Sequence, residues 1–414
     1  MRVGMMPFLT GDEWEAKGNY HLVKLFESLT RLGWEVVALE ADDFMAPGRL
    51  TEKNIKLIFI HWPSSILDVG DLSRAEGVGR ITDFLKAKGL RNPGSLTQKM
   101  VSSFAIICSV LLDPVHGSLV RSTAARRIKQ ITQSIKECGL PLVWEMHDLG
   151  SHHLSGQGPL ARIEESFNRS LYDLCSAIVL HESSCLAPVH DAFGSTRPHI
   201  TAQLGPYSYG PPIETKEARR RLGISSCGKI IAHIGTARSN RNPAEAASSF
   251  SRVAGKHDSL IIAGMGVGAY LPEELIDSRM IIFDGFQSPE KMRDIFCAAD
   301  FVINDAQRYL TSAVVRAAMT YGVPVIARPF GSTLDMAKGA AIFIERDGLD
   351  EALREALRLE NKRYESLRCE AIKRDAERRW ERSGERISEL FRNLIDRSDL
   401  SIKQIIGDAS VENQ

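Results

Sequence analysis

The chain has 414 residues and a mass of 45.9 kDa, more than one ordinary core accommodates, so two domains are expected. Its 52 Lys and Arg balance 52 Asp and Glu, which excludes a surface-wide attraction for nucleic acid, and 43% hydrophobic with 25% charged residues excludes a disordered chain. The 7 cysteines are scattered and form no CxxC pair, which argues against a disulfide framework or a zinc knuckle and fits a reducing compartment.

Residues 2–5 read as a short buried strand. Between Met1 and Met6 only Arg2 is charged, and the chain turns acidic at Asp12, Glu13 and Glu15, unlike a signal peptide; a cytoplasmic location is expected. Tyr20, Leu22, Val23, Leu25, Phe26, Leu29 and Leu32 recur at helical spacing, with Gly33 as the stop. Strands are predicted at 34–39 and 55–60, the second running into His61-Trp62-Pro63. The most apolar run, 104–112, is short beside the ~20 residues a membrane span needs. A helix over 124–138 stops at Gly139, and strands at 142–146 and 177–180 flank a helix near 163–174. Strands alternating with helices imply βαβ units and a parallel sheet.

The densest Gly/Pro cluster, Gly205-Pro206-Tyr207-Ser208-Tyr209-Gly210-Pro211-Pro212, reads as a linker, and a short basic helix over 218–222 follows it. A second series then begins, with strands predicted at 229–234, 259–263, 280–283, 301–304, 324–327 and 341–344, and charged helix over 349–395. The expected organisation is an α/β chain of two Rossmann-like domains facing each other across a cleft: 1–205, a linker over 206–228, 229–348, and C-terminal helices with a polar tail over 349–414.

Strand 229–234 runs into Gly235-Thr236-Ala237-Arg238-Ser239-Asn240-Arg241. A glycine turn lets a backbone approach phosphate, and Arg238 and Arg241 offer planar forks suited to phosphate oxygens; a solvated polar loop is the alternative. Thr311-Ser312 precedes an apolar helical run ended by Gly322, so outward N–H groups make a second anion site or an ordinary cap. Gly264-Met265-Gly266-Val267-Gly268 follows an internal strand with GxGxG spacing, so an NAD site is not expected. His147 and Asp148 stand at the carboxyl end of strand 142–146. Asp148 can serve as a general base or as a helix cap, and the spacing from His147 to His152 and His153 does not favour a metal.

Taken in order, these segments resemble the GT-B glycosyltransferases from the N-terminus to about Leu349. The resemblance rests on 218–224 (ARRRLGI), Ile234-Gly235-Thr236, 260–266 (LIIAGMG), 283–286 (FDGF), 297–303 (CAADFVI) and 317–325 (AAMTYGVPV). The loop 305–312 (DAQRYLTS) lacks the two glutamates usual in retaining enzymes of this fold. Leu310-Thr311-Ser312, Asn19-Tyr20, His61-Trp62-Pro63 and 144–148 (WEMHD) look similar to bacterial exopolysaccharide glycosyltransferases, the β-mannosyltransferases among them. Asp148 departs from their usual Asn, and Ala313 from their usual Gly.

The resemblance implies a hexosyltransferase that takes a nucleotide-diphosphate sugar, GDP-mannose first, to a saccharide or lipid-linked saccharide. It would need no cofactor or metal, and would make peripheral contact with an anionic membrane. Gly235, Arg238, Arg241, Gly264, Gly266, Phe286, Thr311 and Ser312 would bind the donor and Glu13, Asn19 and His61 the acceptor, with Asp148 the preferred general base and His147 positioned against the sugar. A sugar-nucleotide epimerase of the same fold and a non-catalytic partner subunit are the alternatives.

Overall fold

The computed structural model describes residues 1–7, 20–46, 48–67, 122–150, 159–225, 227–238, 240–306, 309–345 and 348–396. Glu13, Asn19, His152, His153 and the apolar run 104–112 lie outside the described residues. Two parallel six-stranded sheets carry the chain.

The first sheet contains β1 (Arg2–Met6), β2 (Glu35–Ala38), β3 (Ile58–Ile60), β4 (Leu142–Glu145), β5 (Ala177–Leu180) and β6 (His199–Thr201), in the order β2-β1-β3-β4-β5-β6. The second contains β7 (Ile230–Ile234), β8 (Ser259–Gly264), β9 (Met280–Asp284), β10 (Phe301–Asn304), β11 (Val325–Ala327) and β12 (Ala341–Phe343), in the order β12-β11-β10-β7-β8-β9. Each predicted strand is present, with ends shifted by a few residues. A short edge strand, β6, is added where Pro198 and its neighbours give no apolar run.

By compactness the chain divides into Met1–Phe8, Glu35–Trp144 and Leu154–Ser176 as one unit, and Leu9–Trp34, Glu145–His153 and Ala177–Gln414 as the other. In the first, β1 pairs with β2 and β3 in parallel, and a helix spans 122–138.

In the second unit the β7–β12 sheet is buried on both faces, as a parallel sheet requires. Ile230, Ala232 and Ile234 of β7 pack on one face with Ile261, Ala263 and Val302, while Ile231 packs on the other with Leu260, Ile262, Phe301 and Ile303. Removing such side chains from water contributes about 1.5–3 kcal/mol each.

Helix Ala313–Thr320 is anchored through Arg316, whose side chain is fully buried. Its Nε donates to the Gly205 carbonyl at 2.9 Å, and its guanidinium pairs with Asp375 of helix Asn361–Ala376. The Gly/Pro-rich segment is fastened as well: Tyr207 N–H donates to Thr320 Oγ1 (3.0 Å), Tyr209 N–H to the Tyr321 hydroxyl (2.8 Å), and Trp380 Nε1–H to the Pro206 carbonyl (2.9 Å). These bonds fix the helix whose start carries Thr311 and Ser312.

Candidate functional site

Ligands of open parallel sheets bind beyond the carboxyl ends of the strands. In the second unit those ends bring together Gly235 after β7, Gly264 at the end of β8, and Asn304 and Asp305 at β10. Gly235 has φ +130°, and a Cβ there would run into the Arg241 guanidinium; glycine is what lets that side chain lie on the backbone. Gly264 has φ +150°, a region almost closed to other residues, and a Cβ there would strike the Gly235 carbonyl. Asp284 closes the neighbouring turn by accepting from the Val267, Gly268 and Gly285 N–H groups at 2.9, 3.1 and 2.8 Å. Gly264→Ala is therefore expected to lower the free energy of unfolding by at least ~1–3 kcal/mol in denaturant titration; an unchanged midpoint would mean the loop relaxes at no cost.

Arg238 and Arg241 face each other across a short bridge, each backbone N–H donating to the other's carbonyl at 3.2 and 3.0 Å. Arg241 Nη2 donates to Asn304 Oδ1 at 3.2 Å. Burial, then the charge of Arg241, pushes the Arg238 guanidinium down to about 10, with Asp148 opposing. Burial lowers Arg241 too, against the attraction of Asp305, Tyr309 and Asp148. The Nε atoms of both arginines and Thr311 Oγ1 are shut off from solvent and have no hydrogen-bond partner among the described residues. Two like charges held together with donors unmet leave the pair able to accept an anion.

A cavity of about 170 Å³ lies here, lined by Arg238, Asn240, Arg241, Tyr309, Thr311 and Ser312 among others. Whole small-molecule sites are usually ~300–1,000 Å³, so this one has the size for the charged part of a ligand. Ser312 caps helix Ala313–Thr320, its Oγ accepting from Val315 N–H at 3.3 Å, so the cap and the cavity wall are one feature. Behind the arginines, His233 Nε2 lies 3.2 Å from Asp305 Oδ1, both buried. Burial pushes Asp305 up, but the His233 hydrogen bond and the charges of His233 and Arg241 outweigh it and hold its carboxyl below the usual range.

His147 and Asp148 reach the same loop. Thr311 N–H donates to the His147 carbonyl at 2.9 Å, and Leu310 N–H to Asp148 Oδ1 at 3.4 Å. The His147 ring is buried and turned into a cluster with His21, Glu145 and His181. Phe286 is 62% exposed beside the Asp284 turn, and Gly266, at φ +77°, begins the turn helix Val267–Tyr270. His61 follows β3 in the other unit, buried, its ring 4.5 Å from that of Phe59. Gly235, Arg238, Arg241, Thr311 and Ser312, expected from the sequence to bind the donor, thus gather with Asp148. The reading by sequence misses Asn304, Asp305, His233 and Tyr309, although Asn304 and Asp305 sit at a strand's carboxyl end, where a ligand is expected.

No family model matches the chain. In sequence it is similar to D-inositol 3-phosphate glycosyltransferase of Corynebacterium urealyticum, 24% identical over 249 residues, 55% of this chain and 58% of that protein. The chain therefore spans under two thirds of the length of that curated relative. In structure it is similar to sucrose-phosphate synthase of Thermosynechococcus elongatus, at TM-score 0.62 and 12% identity over 96% of this chain and 100% of that one. The fold is that of the GT-B glycosyltransferases. Anabaena HepE, solved with UDP, matches at TM-score 0.56 and 12% identity over 94% and 99% of the two chains. Among the described residues no helix is long and apolar enough to cross a membrane.

Proposed function

We propose that the chain is a glycosyltransferase that moves a hexose from a nucleotide-diphosphate sugar to a saccharide or lipid-linked saccharide. The observation that carries this reading is the pair Arg238 and Arg241, with unmet Nε donors, facing the capped start of helix Ala313–Thr320. Negative charge grows on the diphosphate as the sugar leaves. Fixed guanidinium and N–H groups stabilise that charge without reorganising, in the role a metal ion has elsewhere. Asp148 is the general base for the acceptor hydroxyl, and its neighbour His147 sets its position. The sequence likeness to an inositol-phosphate glycosyltransferase supports the reaction class, and HepE, solved with UDP-glucose, supports a nucleotide sugar. GDP-mannose is the first donor to test and UDP-glucose the second.

The test is thermal unfolding with GDP, UDP, ADP, GDP-mannose and UDP-glucose, followed by nucleotide release with and without oligosaccharide acceptors. A ligand at ~100 times its Kd adds about 2.7 kcal/mol to the native state. Stabilisation by a single nucleotide family together with acceptor-dependent release supports the reading. Stabilisation without release makes the chain a binding subunit, and release without an acceptor points to other chemistry on the donor.

The lipid-linked acceptor adds a membrane face. Arg126 and Lys129 are exposed on helix 122–138, with Arg127 partly so. Each cation near an anionic bilayer contributes about 1 kcal/mol. Changing all three to glutamate is expected to abolish co-sedimentation with anionic vesicles and leave neutral vesicles unaffected. Equal sedimentation of wild type and variant would remove this face from the membrane.

A further inference from the structure

Four side chains from separate parts of the second unit converge in its interior: His21 of helix Tyr20–Arg31, Glu145 at the end of β4, His147 two residues on, and His181 just after β5. All four are buried, and one ligand atom from each can be chosen such that all lie within 4.8 Å of one another. His21 Nε2 is 2.8 Å from Glu145 Oε2, and His147 Nε2 is 3.5 Å from the same oxygen. His181 Nε2 is 3.9 Å from Glu145 Oε1 and 3.2 Å from His147 Nδ1. Donors bound tetrahedrally at 2.0–2.1 Å from one ion stand about 3.3–3.4 Å apart, so a set spread over as much as 4.8 Å draws in by about 1 Å to close on the ion.

We propose that His21, Glu145, His147 and His181 bind one divalent transition-metal ion of the zinc class. Three imidazoles and one carboxylate suit zinc and its first-row neighbours; magnesium and calcium prefer all-oxygen sets. The outer shell is present for at least one ligand. His181 Nδ1 lies 3.0 Å from the Ala202 carbonyl, so that nitrogen donates its N–H there and the Nε2 lone pair is left for the cluster.

The ion's task is positional. It ties helix Tyr20–Arg31 to the 145–148 turn, whose His147 carbonyl holds Thr311 N–H at 2.9 Å and whose Asp148 receives Leu310 N–H. The diphosphate charge remains with the arginines. This site goes beyond the proposed reaction and does not depend on it, because metal uptake is read without substrate.

The test uses the full chain, without a histidine tag, stripped with chelator and titrated with Co²⁺. One equivalent is expected to give the strong visible bands of four-coordinate cobalt, displaced by Zn²⁺. The unfolding temperature is expected to rise by about 5 °C at a hundredfold excess of Zn²⁺ over its Kd. Proton NMR of the cobalt form is expected to show three shifted imidazole N–H signals, one for each ligating histidine, which identifies the ligands in wild-type protein. His181→Gln and Glu145→Gln are each expected to weaken Co²⁺ binding at least tenfold, and the exposed His190→Ala to leave it unchanged. No visible spectrum at one equivalent, fewer than three imidazole signals, or full affinity in both cluster variants overturns the proposal.

Discussion

Asp148→Asn is expected to lower turnover by about 10²–10⁴-fold while nucleotide affinity stays within about twofold. Asp148 follows strand β4 on the turn that carries His147, and its half-buried carboxylate accepts Leu310 N–H at 3.4 Å. It also lies close enough to Arg238 and Arg241 to oppose the lowering of both guanidiniums. That position lets the residue fasten loop 309–312, and the proposed function adds a second role, accepting the proton of an acceptor hydroxyl. The asparagine amide keeps the size and can still accept the Leu310 N–H, but it cannot take up a proton. Asp148→Ala removes both functions. If Asp148 is the base, Asn and Ala lose turnover alike and only Ala also weakens nucleotide binding. If Asp148 is a fastener, Asn keeps most of its rate. Steady-state kcat with calorimetric Kd for both variants separates the two.

The sheets were legible because parallel strands buried on both faces must be apolar throughout, and runs such as Ile230–Ile234 and Phe301–Asn304 have few other readings. Helices Pro243–Val253 and Pro289–Ala298 go unnamed in that reading, although each carries its start signal. Asn242 and Ser288 cap them, accepting from Ala244 and Lys291 N–H, with proline in the first turn. The arginine pair and the Thr311-Ser312 start were visible as residue types at strand and helix ends. Their closeness to His147 and Asp148 was not, because the Thr311 N–H bond to the His147 carbonyl spans separate strand–helix series. The histidine cluster was invisible because its members lie far apart along the first strand–helix series. His21 and Glu145 are 124 positions apart, His147 and His181 are 34 apart, and no helical or loop ligand spacing joins them. The GxGxG run reads in the structure as a packing device: Gly264 is glycine because the Gly235 carbonyl lies where its side chain would be.

Arg238→Ala and Arg241→Ala are each expected to weaken nucleotide-diphosphate binding at least tenfold, since a charged hydrogen bond contributes about 1.5–3 kcal/mol. Their effects on stability should differ. The Arg238 charge costs the empty protein: burial and the charge of Arg241 bring its guanidinium down to about 10, and the Arg238 Nε donor is unmet. Removing it is expected to leave the unfolding midpoint unchanged or slightly raised while affinity falls, opposite movements that mark a group kept for its ligand rather than for the fold. Arg241 is held from both sides, donating to Asn304 at 3.2 Å and attracted by Asp305. Its loss leaves the buried Asp305 carboxylate with His233 as its near partner, so Arg241→Ala is expected to lower the midpoint as well as the affinity. Arg241→Lys restores the charge without the planar fork, and is expected to recover stability better than affinity. Calorimetric Kd and thermal unfolding on the three variants test this. Unchanged affinity in both alanine variants would take the loop out of the site. A midpoint that falls as far in Arg238→Ala as in Arg241→Ala would make the pair structural.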